Sequence, residues 1–95
     1  MATLYKADKD SLPVEGIKGT GTDGRFTLQQ LQDAVGGYIE GIPGTNNRAW
    51  CNEEGLLLGL EMNTIASLMF GQQLVGDVLV MDDEDKYEGE EEEAS

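Results

Sequence analysis

Between Thr27 and Ile42 the chain reads TLQQLQDAVGGYIEGI, and this stretch constrains the fold more than any other. Thr27 has Gln30 three residues on, a capping-box spacing that starts a helix. Leu28, Leu31 and Val35 then recur at i, i+3 and i+7 and form one apolar stripe. Gly36 and Gly37 end the helix, because glycine accepts the left-handed backbone that a C-terminal cap needs. Tyr38 to Ile42 follows as a short β-rich run, so a helix hands directly to a strand.

The other elements are placed around this one. Leu4-Tyr5 and Val14 to Ile17 have extended character, with a polar turn at Asp8 to Pro13 between them. Gly16 to Gly24, GIKGTGTDG, reads as a flexible loop leading into the Thr27 cap. Pro43 to Asn47 is a cluster of turn formers, after which Arg48 to Asn52 favours a half-buried strand antiparallel to Tyr38 to Ile42. Asn52-Glu53-Glu54-Gly55 is a second turn, and Leu56-Leu57-Leu58 is expected to pair back on the Trp50 strand as a small meander.

Asn63 is an N-cap and Gly71 a stop, which predicts a helix over Thr64 to Phe70 with Ile65, Leu68 and Met69 on one face. Two turns alone are not stable in water, so this helix must dock on the sheet. Val78 to Met81 is a continuous apolar run suited to a strand covered on both faces, and Asp82 stops it. The expectation is an α+β fold: a small, mostly antiparallel sheet with two short helices on one face. Residues 1–81 would form a single domain and residues 82–95, DDEDKYEGEEEEAS, an acidic low-complexity tail that favours disorder.

The chain has 95 residues, room for one small domain and little for a large active-site cleft. It lacks any run of about 18 apolar residues, and its single cysteine, Cys51, permits no internal disulfide; both fit a soluble, cytoplasmic protein that does not enter a membrane. The net charge is −13, of which nine acidic residues and one lysine from Asp82 onward supply −8. Direct binding to nucleic-acid phosphates calls for clustered lysine and arginine, so this balance argues against it and leaves basic partners open.

Residue types exclude much chemistry. There is no histidine, which removes imidazole as base, proton shuttle and metal ligand, and with one cysteine the usual zinc sites go too. Cys51 reads as a small buried hydrophobe, and Glu53-Glu54 as a solvated turn. Asp82, Asp83, Glu84 and Asp85 lack the ligand spacing and the glycine of a calcium loop. The glycine loop lacks the Gly-Lys-Ser/Thr order of a phosphate loop. No catalytic residue, metal site or cofactor is expected. Arg25 and Arg48 are the only arginines; if they converge beside Tyr38 or Trp50, the four would form a small anion- and ring-binding site. For a protein partner, the candidate residues are Asp82, Asp83, Glu84, Asp85, Glu90, Glu91, Glu92 and Glu93.

The pieces LQDAVGGYIEGIP, CNEEGLLLGLEMNTIASLM and VGDVLV resemble the core of the family called domain of unknown function 3846, found in phages, large algal viruses and bacterial mobile elements. The likeness runs from Leu28 to Val80, with the glycine loop and the acidic tail outside it. The resemblance implies a viral or mobile-element accessory domain, sometimes near anti-restriction functions, and supplies no catalytic residues. The function expected is therefore non-enzymatic: binding of a host protein in the host cytoplasm, as an anti-defence factor whose acidic tail mimics nucleic acid toward a basic surface. One alternative is a protein that sequesters a nucleotide signal through Arg25, Tyr38, Arg48 and Trp50. Another is a structural protein that closes its short core in a homodimer.

Overall fold

A strand made of consecutive apolar residues needs cover on both faces, and the run beginning at Val78 obtains it at the centre of the sheet. The computed structural model describes residues 1–89. Its strands are β1 (Ala2–Tyr5), β2 (Val14–Ile17), β3 (Ile39–Gly41), β4 (Ala49–Asn52) and β5 (Val78–Val80), and its helices are α1 (Leu28–Val35) and α2 (Thr64–Phe70), with a single 3-10 turn at Thr22–Gly24. The sheet order is β2-β1-β5-β4-β3, and every neighbouring pair is antiparallel. The fold is α+β, as the sequence implies. Leu79 of β5 lies between Leu4 of β1 and Trp50 of β4.

Both helices form where their caps place them. The Thr27 hydroxyl oxygen accepts from the Gln30 N–H at 3.0 Å, and Gly36 closes α1 in the left-handed conformation, φ 79°. The Asn63 side chain accepts from the Ala66 N–H at 3.0 Å, and Gly71 closes α2 in the same way.

The helices do not share a face of the sheet. Successive side chains of a strand point to opposite faces. Leu79 and Trp50 pack with Leu31 of α1, together with Ala2, Phe26 and Met81. Val78 and Ala49, one residue away on the same strands, pack with Ala66 of α2, together with Ile42 and Leu74. So α1 covers one face and α2 the other. The apolar doublets at 49–50 and 78–79 require this, because a single layer of helices would leave half of each doublet in water.

Two further expectations are overturned. Leu56 to Leu58 is not a strand: residues 53–59 are turns, because the edge of β4 that this run would need is taken by β5. The Leu58 N–H donates to the Glu54 carbonyl at 2.9 Å and the Leu60 N–H to the Gly55 carbonyl at 3.0 Å, which folds the loop on itself. In α2, Leu68 is exposed and Ile65 and Met69 are half-exposed; the helix docks through Ala66 and Phe70 instead. Asn63 sets that rotation. Its side-chain Nδ2 donates to the carbonyls of Tyr5 and Gly76, each at 2.9 Å, which fixes the first turn of α2 against the ends of the sheet.

The glycine loop is tied down rather than loose. Gln30 does not reach back to its own cap; its Nε2 donates to the Lys18 carbonyl at 2.7 Å and its Oε1 accepts from the Thr20 N–H at 3.1 Å. A Cβ at Gly19 would overlap the Gly24 carbonyl, so the tight return of this loop excludes any side chain there.

The acidic segment begins as part of the domain. The Phe26 N–H donates to the Lys86 carbonyl at 2.7 Å, the Glu88 N–H donates to the Phe26 carbonyl at 2.9 Å, and the Glu88 carboxylate accepts from the Thr22 N–H at 3.0 Å. Tyr87 lays its ring edge-to-face on Trp50, with centroids 5.2 Å apart and planes at 71°. Where disorder was expected from Asp82 onward, the segment through Gly89 packs back on the body, and Glu90, Glu91, Glu92 and Glu93 lie outside the described residues.

Candidate functional site

The β3–β4 register separates Tyr38 from Arg48 and Trp50, two of the residues expected to join it in a ligand site. Ile39 pairs with Asn52 and Gly41 with Trp50, and the Glu53 N–H donates to the Tyr38 carbonyl at 2.8 Å. Tyr38 therefore stands opposite residue 53. Arg48 lies just before the start of β4, at the opposite end of that strand from residue 53. The Arg48 guanidinium donates to the backbone carbonyls of Asp85 and, at 3.4 Å, Asp82, so its role is to fasten the acidic turn. Trp50 is only 6% exposed and belongs to the core; its Nε1 has no hydrogen-bond partner among the described residues. Arg25 ends the glycine loop, its carbonyl accepting from the Gly21 N–H at 2.7 Å.

The acidic candidates divide in two. Asp82 and Asp85 both pair with the α-ammonium of Met1, at 2.8 and 3.1 Å, Asp82 from an exposed position and Asp85 from a largely buried one. Hydrogen bonding to that ammonium, and then to the Glu84 N–H, holds the Asp82 carboxyl below the usual carboxylate range; Asp82 and Asp85 in turn raise the Met1 amine. Asp83 and Glu84 stay exposed to solvent.

The surface that sequence reasoning did not find is apolar. Leu56, Leu57 and Leu58 are 80%, 86% and 60% exposed, on a loop whose base is fixed by Asn52. Asn52 is buried; its Oδ1 accepts from the Glu54 N–H at 2.8 Å and its Nδ2 donates to the Val35 carbonyl at 3.2 Å, so one side chain joins the loop to the end of α1. A Cβ at Gly37 would stand 2.9 Å from Asn52 Nδ2, which is why the second glycine of the pair is needed. Between α1 and this loop lies a cavity of about 460 Å³, whose lining includes Gln32, Asp33, Tyr38, Glu54 and Leu58. The signal for it was present in Gly36-Gly37 and Asn52 to Gly55, which read only as punctuation between elements.

Cys51 is half-buried, and its Sγ lies 3.7 Å from the Glu40 carbonyl. Burial, reinforced by the charge of Glu40, pushes the thiol up to about 11. A thiol ionises less in this place than in the unfolded chain, so stability should fall as pH rises from 9.0 toward about 11. At pH 8 the native thiol should react with iodoacetamide about a hundredfold more slowly than the urea-unfolded chain. Equal rates would show that Cys51 is not protected.

Among the described residues no group of three side chains is arranged to hold a metal ion, and no helix is long and apolar enough to cross a membrane. No curated protein and no solved structure matches the chain. The model of the family described as Domain of unknown function (DUF3846) matches residues 2–93. That span is wider than Leu28 to Val80: it takes in β1, the glycine loop and the acidic segment, the parts that Gln30, Phe26 and Tyr87 bind to the sheet. From its first strand to its acidic segment, the chain belongs to the DUF3846 family.

Proposed function

We propose that this is a non-enzymatic accessory protein of a phage or mobile element that acts by binding another protein in the host cytoplasm. The observation that carries the reading is the Leu56–Leu58 loop. Three adjacent leucines exposed to this degree cost solubility in a small domain, and such apolar surface commonly marks a protein contact. The net charge of −13 complements it by favouring a basic partner surface and repelling nucleic acid. The packing of Trp50 and the use of Arg48 on the acidic turn weigh against a nucleotide pocket at those residues.

The test is affinity capture from a host-cell lysate on the immobilised full chain, in low and high salt, alongside native mass spectrometry of the purified protein. A protein captured in a fixed ratio, and retained in high salt because apolar contacts are not screened, is the expected result. A discrete small-molecule mass with no protein partner would replace this reading with ligand sequestration. A dimer that captures nothing would replace it with self-assembly.

A further inference from the structure

The cavity beside the leucine loop carries charge of one sign. Asp33 and Glu54 both line it, and among the described residues no lysine or arginine does. Gly36 and Gly37, the end of α1, line it as well, and a helix C-terminus adds about half a negative charge. Asp33 is oriented by its Oδ1, which accepts from Gln29 Nε2 at 2.7 Å. Tyr38, 63% exposed, lines the same cavity, and so does Leu58, which continues into Leu57. A cavity lined by an exposed aromatic residue and two carboxylates suits a planar cation. A guanidinium stacks on the ring and donates paired hydrogen bonds to a carboxylate; an ammonium is a point charge and does neither as well.

We infer that this cavity is a docking notch for an arginine side chain of a partner protein, carried on a basic amphipathic segment whose apolar residues cover Leu57 and Leu58. The inference rests on the protein-binding reading and names the chemistry of the partner. A small planar cation would fill the notch but would leave the leucines in water, whereas a segment with arginine beside leucine satisfies both. The negative field of the whole chain speeds the encounter with such a segment.

The probe is a short synthetic amphipathic peptide of arginine and leucine, titrated into the isotope-labelled full chain and followed by backbone amide NMR, with a lysine-for-arginine peptide beside it. Saturable shifts are expected at Gly36, Gly37, Tyr38, Glu54 and Leu58. The Asp33→Asn, Glu54→Gln double variant should weaken binding about tenfold and the lysine peptide several-fold. Asp83→Asn with Glu84→Gln, the same change in charge on the exposed acidic turn, should weaken it less than twofold. Equal losses from the two double variants, or shifts confined to the acidic turn, would overturn the notch and leave only net charge. A lysate partner that still binds Asp33→Asn, Glu54→Gln at full strength but no longer binds a Leu56→Ser, Leu57→Ser, Leu58→Ser variant would sink the notch and leave the protein-binding function standing.

Discussion

Asn63→Ala should lower the stability of the domain by about 3 kcal/mol, although Asn63 is polar and its replacement is small. The side chain is fully buried and makes three hydrogen bonds, accepting from the Ala66 N–H and donating to the carbonyls of Tyr5 and Gly76. Alanine removes a helix cap, about 1 kcal/mol, and strips the side-chain donor from one buried and one part-buried carbonyl, which costs about 1 kcal/mol for each. Asn63→Asp keeps the cap oxygen but turns a negative charge toward both carbonyls, so it should be no better than alanine at neutral pH. Urea unfolding reads this as a lower midpoint at unchanged slope. A loss below about 1 kcal/mol in both variants would mean that Asn63 is not what joins α2 to the sheet.

Tyr87→Ala should cost about 2–3 kcal/mol, and truncation after Met81 more. The ring covers Trp50, and its own segment supplies the Lys86 carbonyl and the Glu88 N–H that hold Phe26, a residue with no exposure at all. Truncation also takes away the acceptors of Arg48. Asp83→Asn with Glu84→Gln, which alters charge without touching these contacts, should leave the thermal midpoint unchanged. The contrast separates the two roles of the acidic segment. Deleting it to ask whether its charge binds a partner would confound binding with unfolding, and neutralising exposed carboxylates avoids that. If truncation after Met81 left the midpoint where it was, the segment would be an appendage after all.

The features legible in the sequence are those decided by a few neighbouring residues. Thr27, Gly36, Asn63 and Gly71 fix both helices, because caps are local hydrogen-bond problems. The turn at Pro43 to Asn47 joins β3 to β4, and the Val78 run became the central strand. Sheet order was not legible, since the pairing of Leu4 with Leu79 spans nearly the whole chain and leaves no local mark. Leu56 to Leu58 misled for a related reason. An apolar triplet has the same pattern whether it is buried in a sheet or held out on a loop, and only the competition of β5 for the edge of β4 decides which. The same holds for Ile65, Leu68 and Met69, where the bonds of Asn63 determine which stripe of α2 meets the sheet.

The candidate site was less legible than the fold. Tyr38 was singled out for its ring and lines a cavity, but beside Asp33 and Glu54 instead of the arginines. Trp50 and Arg48 were singled out for chemistry and serve the packing of the acidic segment. Residue type indicated that these side chains have uses; only the β3–β4 register and the return of the chain through Tyr87 indicate which.

The measurement to make first joins stability to binding in one variant, Leu56→Ser with Leu57→Ser and Leu58→Ser. If the leucine loop is a contact surface, the thermal midpoint should move by no more than about 3 °C, because exposed side chains contribute little to folding, while capture of the partner in high salt is lost. A fall of about 10 °C or more would place these leucines in the core, and capture that survives with the midpoint intact would place the contact elsewhere on the protein.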